Sequence, residues 1–332
     1  MAAAPKVSIV VPIYNEEAGL PALLARLYPA LDALGQTYEL ILVDDGSRDH
    51  SIRVLRQQFD RRPDVTRVVI LAANVGQHMA IMAGFQHARG EVVVTLDADL
   101  QNPPEEIHKL LAKMEEGFDY VGSYRSERRD NLFRRAASRA MNRLREDLTR
   151  IRMADQGCML RAYARNVVDA INQSPEVNTF VPALAFIYAR NPTEIEVRHD
   201  ERAAGASQYS LSRLIKLNFD LVTGFSVKPL QIFSGIGMIV AVGAVLLYAT
   251  VLAYQLYTAG LAGALEHVWD RDVLEFFLMG LAVFGIGLTG EYIGRIYEQV
   301  RGRPRYMVQA VLEQQPGAQQ WQPRQSSSRI TT

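Results

Sequence analysis

Neither sign of charge is in excess in this chain, which has 36 lysine and arginine residues and 36 aspartate and glutamate residues. A balanced charge gives no overall attraction to nucleic acid or to acidic substrates, so no nucleic-acid partner is expected. Cysteine is equally scarce. Cys158 is the single cysteine, which excludes an internal disulfide and is typical of a catalytic region that lies in the cytosol. A secretory signal is also not expected, because the first residues have no basic start and no apolar signal core.

Two common nucleotide-binding motifs are missing. No Gly-x-Gly-x-x-Gly follows the first predicted strand, which disfavours a dinucleotide site. No Gly-x-x-x-x-Gly-Lys-Ser/Thr occurs, which excludes a P-loop. None of the six histidines has metal-ligand spacing with another histidine, so each is expected to be structural.

Short apolar runs alternate with helical patterns through the first hundred residues. The runs at 7–13, 38–43, 66–71 and 91–94 predict four strands, with helices between them. The first of these helices is predicted from Asn15 to about Leu34. This order predicts an α/β fold with a parallel, right-handed, doubly wound sheet. Polar residues follow every predicted strand and gather at one edge of that sheet.

The segment from Thr95 to Pro104 carries two carboxylates at the carboxyl end of the fourth predicted strand, where ligands bind in an open α/β sheet. Asp97 and Asp99 stand two apart, on the same side of an extended chain. Two such carboxylates repel each other unless a cation or a proton lies between them. Hard oxygen ligands at this spacing suit Mg²⁺ or Mn²⁺ carrying a substrate's phosphates. The alternative is a capped turn with solvated aspartates.

Further acids extend this site into a nucleotide-sized crevice lined by carboxylates. Because carboxylates repel the phosphates of a nucleotide, such a crevice needs a metal ion to bind it. Some of these acids can instead accept hydrogen bonds from a base or a ribose. Asp155 is a candidate catalytic carboxylate, with helix or turn capping as the alternative, and Cys158 beside it is expected to be buried packing rather than a nucleophile. The further acids at the strand ends are Glu16, Asp44 and Asp45.

Two later stretches are candidates for contact with phosphates or with a membrane. A small-residue loop from Arg202 to Tyr209 is able to fold over phosphates as a lid. Residues 128–150 hold eight arginines against three acids, with apolar residues at helical spacing. This pattern is typical either of a helix on an anionic membrane face or of a solvated helix that covers the core.

Long apolar runs occupy the last third of the chain. Residues 229–265 carry no charged side chain, and residues 273–294 carry only Glu275 and Glu291. At about 1.5 Å rise per residue, either run can cross a bilayer core of about 30 Å, with a buried core helix as the alternative for the second. Basic residues flank the pair and the loop between them is acidic, so both ends are expected to face the cytoplasm. Glycines along both runs favour helix–helix contact, within the chain or between copies.

Four of these segments resemble glycosyltransferase family 2. They are residues 12–16 (PIYNE), 43–47 (VDDGS), 97–104 (DADLQNPP) and a late loop with Arg202, Gly205, Ser207 and Tyr209. Within that family, residues 76–85, 157–163 and 290–297 are similar to the polyprenyl-phosphate glycosyltransferases. The likeness is strongest to the group that transfers 4-deoxy-4-formamido-L-arabinose to undecaprenyl phosphate in lipid A modification.

The resemblance implies a multi-pass protein of the bacterial inner membrane, in contact with its lipids, with the catalytic domain and both termini in the cytoplasm. It also implies a homo-oligomer, a tetramer. The tail is expected to be disordered from its composition. The implied parts are a GT-A (Rossmann-like) catalytic domain (1–206), a juxtamembrane amphipathic helix (207–228), two transmembrane helices (229–296), a cytoplasmic segment (297–313) and the tail (314–332).

The resemblance further implies roles for the site residues. Asp97, Asp99 and Gln101 would bind Mg²⁺ or Mn²⁺ and, through it, the diphosphate of the donor. Asp99 and Asp155 would be the catalytic carboxylates, with Asp155 near the acceptor. The residues that would hold the nucleotide are Pro12, Tyr14, Glu16, Asp44, Asp45 and Asp97. The residues that would contact phosphates of donor or acceptor are Arg125, Arg128, Arg202 and Ser207. Gln208 departs from the family, which usually has lysine there.

The implied reaction is an inverting transfer of 4-deoxy-4-formamido-L-arabinose from UDP to undecaprenyl phosphate. A phosphate monoester has a second pKa of about 6, so the acceptor is mostly dianionic near neutral pH and needs no strong base. Whether Asp155 abstracts a proton or orients the acceptor is therefore open. Transfer from UDP-glucose or another UDP-hexose is one alternative function, and a non-catalytic membrane scaffold is another.

Overall fold

The computed structural model describes residues 4–125, 153, 155, 157–174, 180–200, 228–266, 272–301 and 304–314. These residues form an eight-stranded sheet with helices on both faces, in the strand order β7-β5-β6-β4-β1-β2-β3-β8. The strands are β1 (Val7–Ile13), β2 (Tyr38–Asp44), β3 (Thr66–Leu71), β4 (Val92–Thr95), β5 (Tyr120–Arg125), β6 (Arg161–Ala164), β7 (Pro192–Val197) and β8 (Val308–Leu312).

Eight α-helices accompany the described strands, and a short 3₁₀ turn at Pro104–Glu106 precedes the fourth. Helices α1, α2 and α4 pack on one face of the sheet, and α3, α5 and α6 pack on the other. The helices are α1 (Leu20–Asp32), α2 (Ser51–Arg61), α3 (Gln77–His87), α4 (Ile107–Glu115), α5 (Arg165–Gln173), α6 (Val181–Tyr188), α7 (Lys228–Glu266) and α8 (Asp272–Val300).

The centre of the sheet is the predicted parallel block, in which β3, β2, β1 and β4 lie side by side. Every residue of β1 is buried, and neighbouring residues face opposite cores, Ile9 toward α1 and Val10 toward α3. A parallel strand covered by helices on both faces is apolar throughout, which is why these strands were recognisable in the sequence.

The sheet is mixed, so the expectation of a parallel sheet throughout is wrong at both flanks. β6 runs antiparallel to β4, with Thr95 opposite Arg161, and β8 runs antiparallel to β3. The alternation of strand and helix fixes direction only where a crossover helix joins neighbouring strands. β6 pairs with β4 and β8 pairs with β3, and neither partner is the strand that directly precedes it in the chain, so the pattern carried no information on these two pairings.

The first helix begins at Leu20 rather than at Asn15. Asn15 has a positive φ of 54°, in the left-handed region that asparagine tolerates better than most residues, and it cannot belong to a helix. The predicted apolar face is otherwise confirmed, because the leucines of this helix are buried against the sheet. The residues between β1 and α1 therefore lie in a loop, where they can form part of a site.

Strand β8 closes the free edge of β3 and was not expected from the sequence. Its last residue is followed by Glu313, which lies 3.0 Å from Arg67 Nε and 2.8 Å from Arg89 Nη2. Arg67 is only 5 % exposed and also pairs with Glu39 at 3.3 Å. The segment after α8 is thus held to the sheet by an ion-pair network as well as by strand pairing.

Replacing Glu313 with glutamine is expected to lower the free energy of unfolding by about 1–2 kcal/mol, since it leaves the buried Arg67 with one carboxylate fewer. This loss is smaller than that expected for a fully buried ion pair, because Glu313 itself is partly exposed to solvent. Thermal unfolding of the full chain measures the effect. The control is Glu116→Gln, which breaks an exposed pair with Lys113 and should cost no more than about 0.5 kcal/mol. Equal losses in both variants would contradict a role for β8 in stability.

Helices α7 and α8 coincide with the two long apolar runs and contact each other. The rings of Phe233 and Phe284 are 5.3 Å apart, and a side chain at Gly285 would collide with Phe233. Large apolar side chains along both helices are exposed, among them Ile239 and Ile286. In the parts of the chain that the structure describes, no helix is long and apolar enough to cross a membrane. Transmembrane placement therefore stays a prediction.

Candidate functional site

The loops after β1 and β2 are tied together at the carboxyl edge of the sheet. The Asn15 N–H donates to Ser47 Oγ at 3.0 Å, and Asn15 Oδ1 accepts the Arg48 N–H at 2.8 Å. The Glu16 N–H donates to Ser51 Oγ at 3.0 Å. These bonds join loops that are more than thirty residues apart in sequence, so the two loops form one wall of a site.

Asp44, the last residue of β2, is completely buried at this wall. Its Oδ2 accepts the Ser47 N–H at 3.2 Å, whereas Oδ1 has no hydrogen-bond partner among the described residues. Burial raises the pKa of Asp44, and the bonds from Ser47 oppose the rise. A buried acceptor without a partner costs free energy, so Asp44 is prepared to accept an N–H group from a ligand.

Asp45, the next residue, forms its hydrogen bonds with other residues of the chain. Its carboxylate accepts the backbone N–H groups of Val75 at 2.8 Å and Gly76 at 2.9 Å, and the Asn74 amide at 3.0 Å. Burial raises the pKa of Asp45, and these N–H donors oppose the rise. Asp45 thus shapes the turn that leads into α3, and its predicted contact with a nucleotide stays a prediction.

Gly46 allows that turn to approach the wall. Its φ is +66°, and a Cβ at this position would lie 2.6 Å from backbone atoms of Ala73 and Asn74. Only glycine combines this backbone conformation with so close an approach of another chain segment.

The acidic turn after β4 holds Asp97 and Asp99 half-buried. Asp97 Oδ1 accepts the Gln77 side-chain amide at 2.5 Å, and Asp99 Oδ1 accepts the Gln101 N–H at 3.1 Å. Next to Asp99, Leu100 has a positive φ of 61°, which is unusual for a large side chain and is retained because that side chain is buried. The backbone of this turn is therefore strained directly after Asp99, and a hydrogen bond holds each of the two carboxylates.

The antiparallel pairing of β4 and β6 brings Asp155 to the same edge. The segment before β6 lies beside the turn after β4, and Thr95 Oγ1 donates to the Met159 carbonyl at 2.6 Å. Asp155 is buried, and its Oδ1 accepts the Gly157 N–H at 2.9 Å. The sequence placed Asp155 only in a strand or loop, and the tertiary structure brings it next to the acidic turn.

Cys158 is a buried packing residue, as predicted. Its thiol donates to Asn102 Oδ1 at 3.2 Å and lies 2.8 Å from Ser123 Oγ, which connects the Asp155 segment to the acidic turn and to β5. Burial raises the pKa of the Cys158 thiol, with the hydrogen bond between the thiol and Ser123 acting in the opposite direction. A thiol that is buried and neutral is a poor nucleophile.

The remaining predicted site residues are distributed as follows. Pro12 is buried within β1, Tyr14 is 41 % exposed beside the wall, and Glu16 is half-buried. Arg125 is the last residue of β5. Outside the described residues lie the predicted phosphate contacts Arg128, Arg202 and Ser207, together with Gln208, the basic stretch 128–150 and the juxtamembrane helix.

Two residues at this edge were not recognised from the sequence as site residues. Gln77 holds a carboxylate of the acidic turn, and Arg161 holds the segment of Asp155. Gln77 lies in a stretch that carries the family likeness, which was its only signal in the sequence. Arg161 likewise lies in such a stretch, residues 157–163, but its burial was not predictable, because an arginine at the start of a strand is ordinarily expected at the surface.

The donor set at this edge suits a divalent metal that arrives with a phosphate. Among the described residues, no group of three or more histidine, cysteine, aspartate or glutamate side chains is arranged to hold a metal. Mg²⁺ commonly takes one or two protein carboxylates and completes its shell with substrate phosphates and water. Asp97, Asp99 and Gln101, brought together in one short turn, fit that mode of binding.

The architecture defines the class of the protein. A Rossmann-type sheet with the parallel order β3-β2-β1-β4, an antiparallel flank and an acidic turn after β4 is a GT-A-like fold. Residues 8–171 match the family model described as Glycosyl transferase family 2.

Solved structures of a similar fold include glucosyl-3-phosphoglycerate synthase from Mycobacterium tuberculosis. Its complex with Mn²⁺, UDP and phosphoglyceric acid is 19 % identical, covers 66 % of this chain and 77 % of that one, and gives a TM-score of 0.50. Its complex with Mg²⁺ and UDP is 18 % identical, with coverages of 66 % and 78 % and a TM-score of 0.50. TarS 1-349 from S. aureus is 15 % identical, with coverages of 66 % and 70 % and a TM-score of 0.40.

Proposed function

We propose that this protein is a metal-dependent, inverting glycosyltransferase that transfers a sugar from a UDP donor to undecaprenyl phosphate. The observation that carries the proposal is the strained turn of Asp97 and Asp99, which stands beside the buried Asp155 at the carboxyl edge of the sheet, within the residues that match the glycosyl transferase family 2 model. Complexes of the solved relative with Mn²⁺ or Mg²⁺ and UDP support the choice of metal and nucleotide.

The wall of the site would bind the nucleoside. Asp44 Oδ1 would accept an N–H from the base, which gives the buried oxygen the partner that it lacks among the described residues. Tyr14, exposed beside it, offers an aromatic face to the same base. The uridine would therefore lie between the loops after β1 and β2, with its diphosphate directed toward the acidic turn.

The acidic turn would hold the divalent metal through Asp97 and Asp99, with Gln101 as a further oxygen donor. When bound, the metal would neutralise charge on the departing nucleoside diphosphate. Gln77 keeps Asp97 oriented by its hydrogen bond. Asp155 would orient the acceptor rather than deprotonate it, because a phosphate monoester is already mostly dianionic above its second pKa of about 6. Displacement from the side opposite the leaving group predicts inversion at the anomeric carbon.

A lipid acceptor is supported by α7 and α8. Residues 229–265 are uncharged, and both helices expose large apolar side chains. Strand β8 begins at Val308, soon after α8 ends at Val300, and joins the catalytic sheet. The carboxyl end of α8 would thus face the cytoplasmic side that carries the catalytic domain, in an inner-membrane protein with both termini in the cytoplasm.

A homotetramer remains part of this proposal. In the described part of the chain, Gly235, Gly237, Gly290 and Gly294 have no neighbour within 4 Å of an added Cβ. These helix faces therefore have room for another copy of α7 or α8, and small residues permit such close approach.

The sugar is proposed to be 4-deoxy-4-formamido-L-arabinose, from the likeness of residues 76–85, 157–163 and 290–297. A donor screen tests this: protein in detergent, undecaprenyl phosphate and Mg²⁺ or Mn²⁺ are mixed with one UDP-sugar at a time, and the lipid product is identified by its mass. We expect transfer from the UDP-formamido-arabinose donor. Transfer from UDP-glucose alone would contradict the sugar but keep the mechanism. No transfer from any donor would favour a non-catalytic scaffold.

A further inference from the structure

Arg161 is a completely buried arginine at the start of β6. Its Nε donates to the Cys158 carbonyl at 2.7 Å and its Nη2 donates to the Asp155 carbonyl at 2.6 Å. Its Nη1 donates to the Tyr120 hydroxyl on β5 and lies 4.0 Å from Met153 Sδ. Burying a guanidinium is costly, so a fully buried one is retained only where its bonds are well made.

Three of the four contacts just described are with the segment that carries Asp155. The guanidinium reaches Met153, Asp155 and Cys158, which lie on the way into β6, and Tyr120 anchors it to the neighbouring strand. A planar fork with several N–H groups in fixed directions can hold two carbonyls and a hydroxyl at once. One side chain therefore holds the backbone of this segment at two carbonyls, those of Asp155 and Cys158.

The same segment is bonded to the acidic turn. The Thr95 hydroxyl donates to the Met159 carbonyl, and the Cys158 thiol donates to Asn102. Arg161 lies opposite Thr95 in the register of β4 and β6. Bonds from three sides thus fix the distance between the backbone at Asp155 and the turn of Asp97 and Asp99.

We propose that Arg161 is a positioning residue, which holds Asp155 by its main chain in the place from which its carboxylate meets the acceptor. This inference rests on the proposed function. It differs from a purely structural role because only one side of the site, that of the acceptor, depends on the guanidinium. The donor side, formed by the loops after β1 and β2, has its own separate bonds.

The test uses Arg161→Lys and Tyr120→Phe in the full chain. Lysine keeps the charge but lacks the fork, and phenylalanine removes only the hydroxyl that anchors it. We expect Arg161→Lys to lower kcat by about tenfold to a hundredfold, with KM for the UDP-sugar within about twofold of the unmodified protein. Tyr120→Phe should lower kcat in the same direction by less.

The matched control is Arg67→Lys, another buried arginine, which contacts Glu39 and Glu313 near the amino end of β3. It should lower thermal stability and leave kcat per folded molecule within about twofold. If Arg161→Lys loses activity only in proportion to the loss of folded protein, as a structural residue would, the proposal is wrong. A kcat within about twofold of the unmodified protein overturns it equally.

Amide hydrogen exchange provides a readout that does not need turnover. In Arg161→Lys, exchange across residues 157–160 should accelerate by about tenfold, while exchange in β1 and β2 stays unchanged. Unchanged exchange across 157–160 would overturn the positioning role, even for a protein that transfers no sugar. Failure of the unmodified protein to transfer sugar would instead refute the proposed function, and the two failures are thereby distinguished.

Discussion

Asp99→Asn is expected to lower the rate of sugar transfer by about a thousandfold, which corresponds to roughly 4 kcal/mol of transition-state stabilisation. Asparagine has the shape of aspartate and can still accept the Gln101 N–H, so the strained turn should keep its conformation. What it removes is one of the two negative charges that would hold the metal. The measurement is kcat with saturating donor, together with a Mn²⁺ titration in which the half-saturating concentration should rise.

Two controls make this result specific. Asp60→Asn, an exposed substitution on α2, should leave kcat within about twofold. Chelation of metal from the unmodified protein should stop transfer, and added Mg²⁺ or Mn²⁺ should restore it. A rate unchanged by Asp99→Asn would refute the assignment of Asp99 as a catalytic metal ligand and favour the scaffold.

Asp44→Asn is expected to weaken UDP binding by about tenfold to a hundredfold while making the nucleotide-free protein more stable near neutral pH. The loss of affinity is that of a hydrogen bond from the base to a charged acceptor, about 1.5–3 kcal/mol. The gain in stability follows from burial, which raises the pKa of Asp44 and so penalises its ionised form.

The sign of the pH dependence follows from that shift. A carboxyl whose pKa is higher in the folded than in the unfolded protein stabilises the fold below its unfolded pKa of about 3.9. This contribution is lost as the pH rises through the folded pKa. Asparagine cannot ionise, so the stability advantage of Asp44→Asn should be largest above the folded pKa and vanish in acid. Thermal unfolding from about pH 3 to about pH 8 measures the change in stability, and calorimetry with UDP measures the change in affinity.

Asp45→Asn is the contrasting variant. Burial also raises the pKa of Asp45, but both of its oxygens accept bonds from the turn before α3. Asparagine has one acceptor oxygen instead of two, so this variant should be destabilised at every pH, by about 1–3 kcal/mol. A stability gain in Asp45→Asn, or none in Asp44→Asn, would show that burial is not the dominant influence on the pKa of these carboxyls.

Local sequence was sufficient to predict the central strands and the composition of the site. Strands covered on both faces are apolar throughout, so β1, β2, β3 and β4 were visible as local runs. Polar residues that end parallel strands meet at one edge, and the sequence alone therefore predicts that Asp44, Asp97 and Asp99 share that edge. The burial of Cys158 was also predictable, because its neighbours in the chain are apolar.

The flanks of the sheet and the supports of the site depend instead on packing between distant segments. The direction of β6 and β8 is set by pairing between strands far apart in the chain, which local periodicity does not report. For the same reason the sequence could not show that the carboxylate of Asp45 accepts its hydrogen bonds from the turn before α3. Nor could it show that Arg161 is buried and bonded to the Asp155 carbonyl. A residue's type states which bonds it is able to make, and the distant segments that pack around it determine which of those bonds are made.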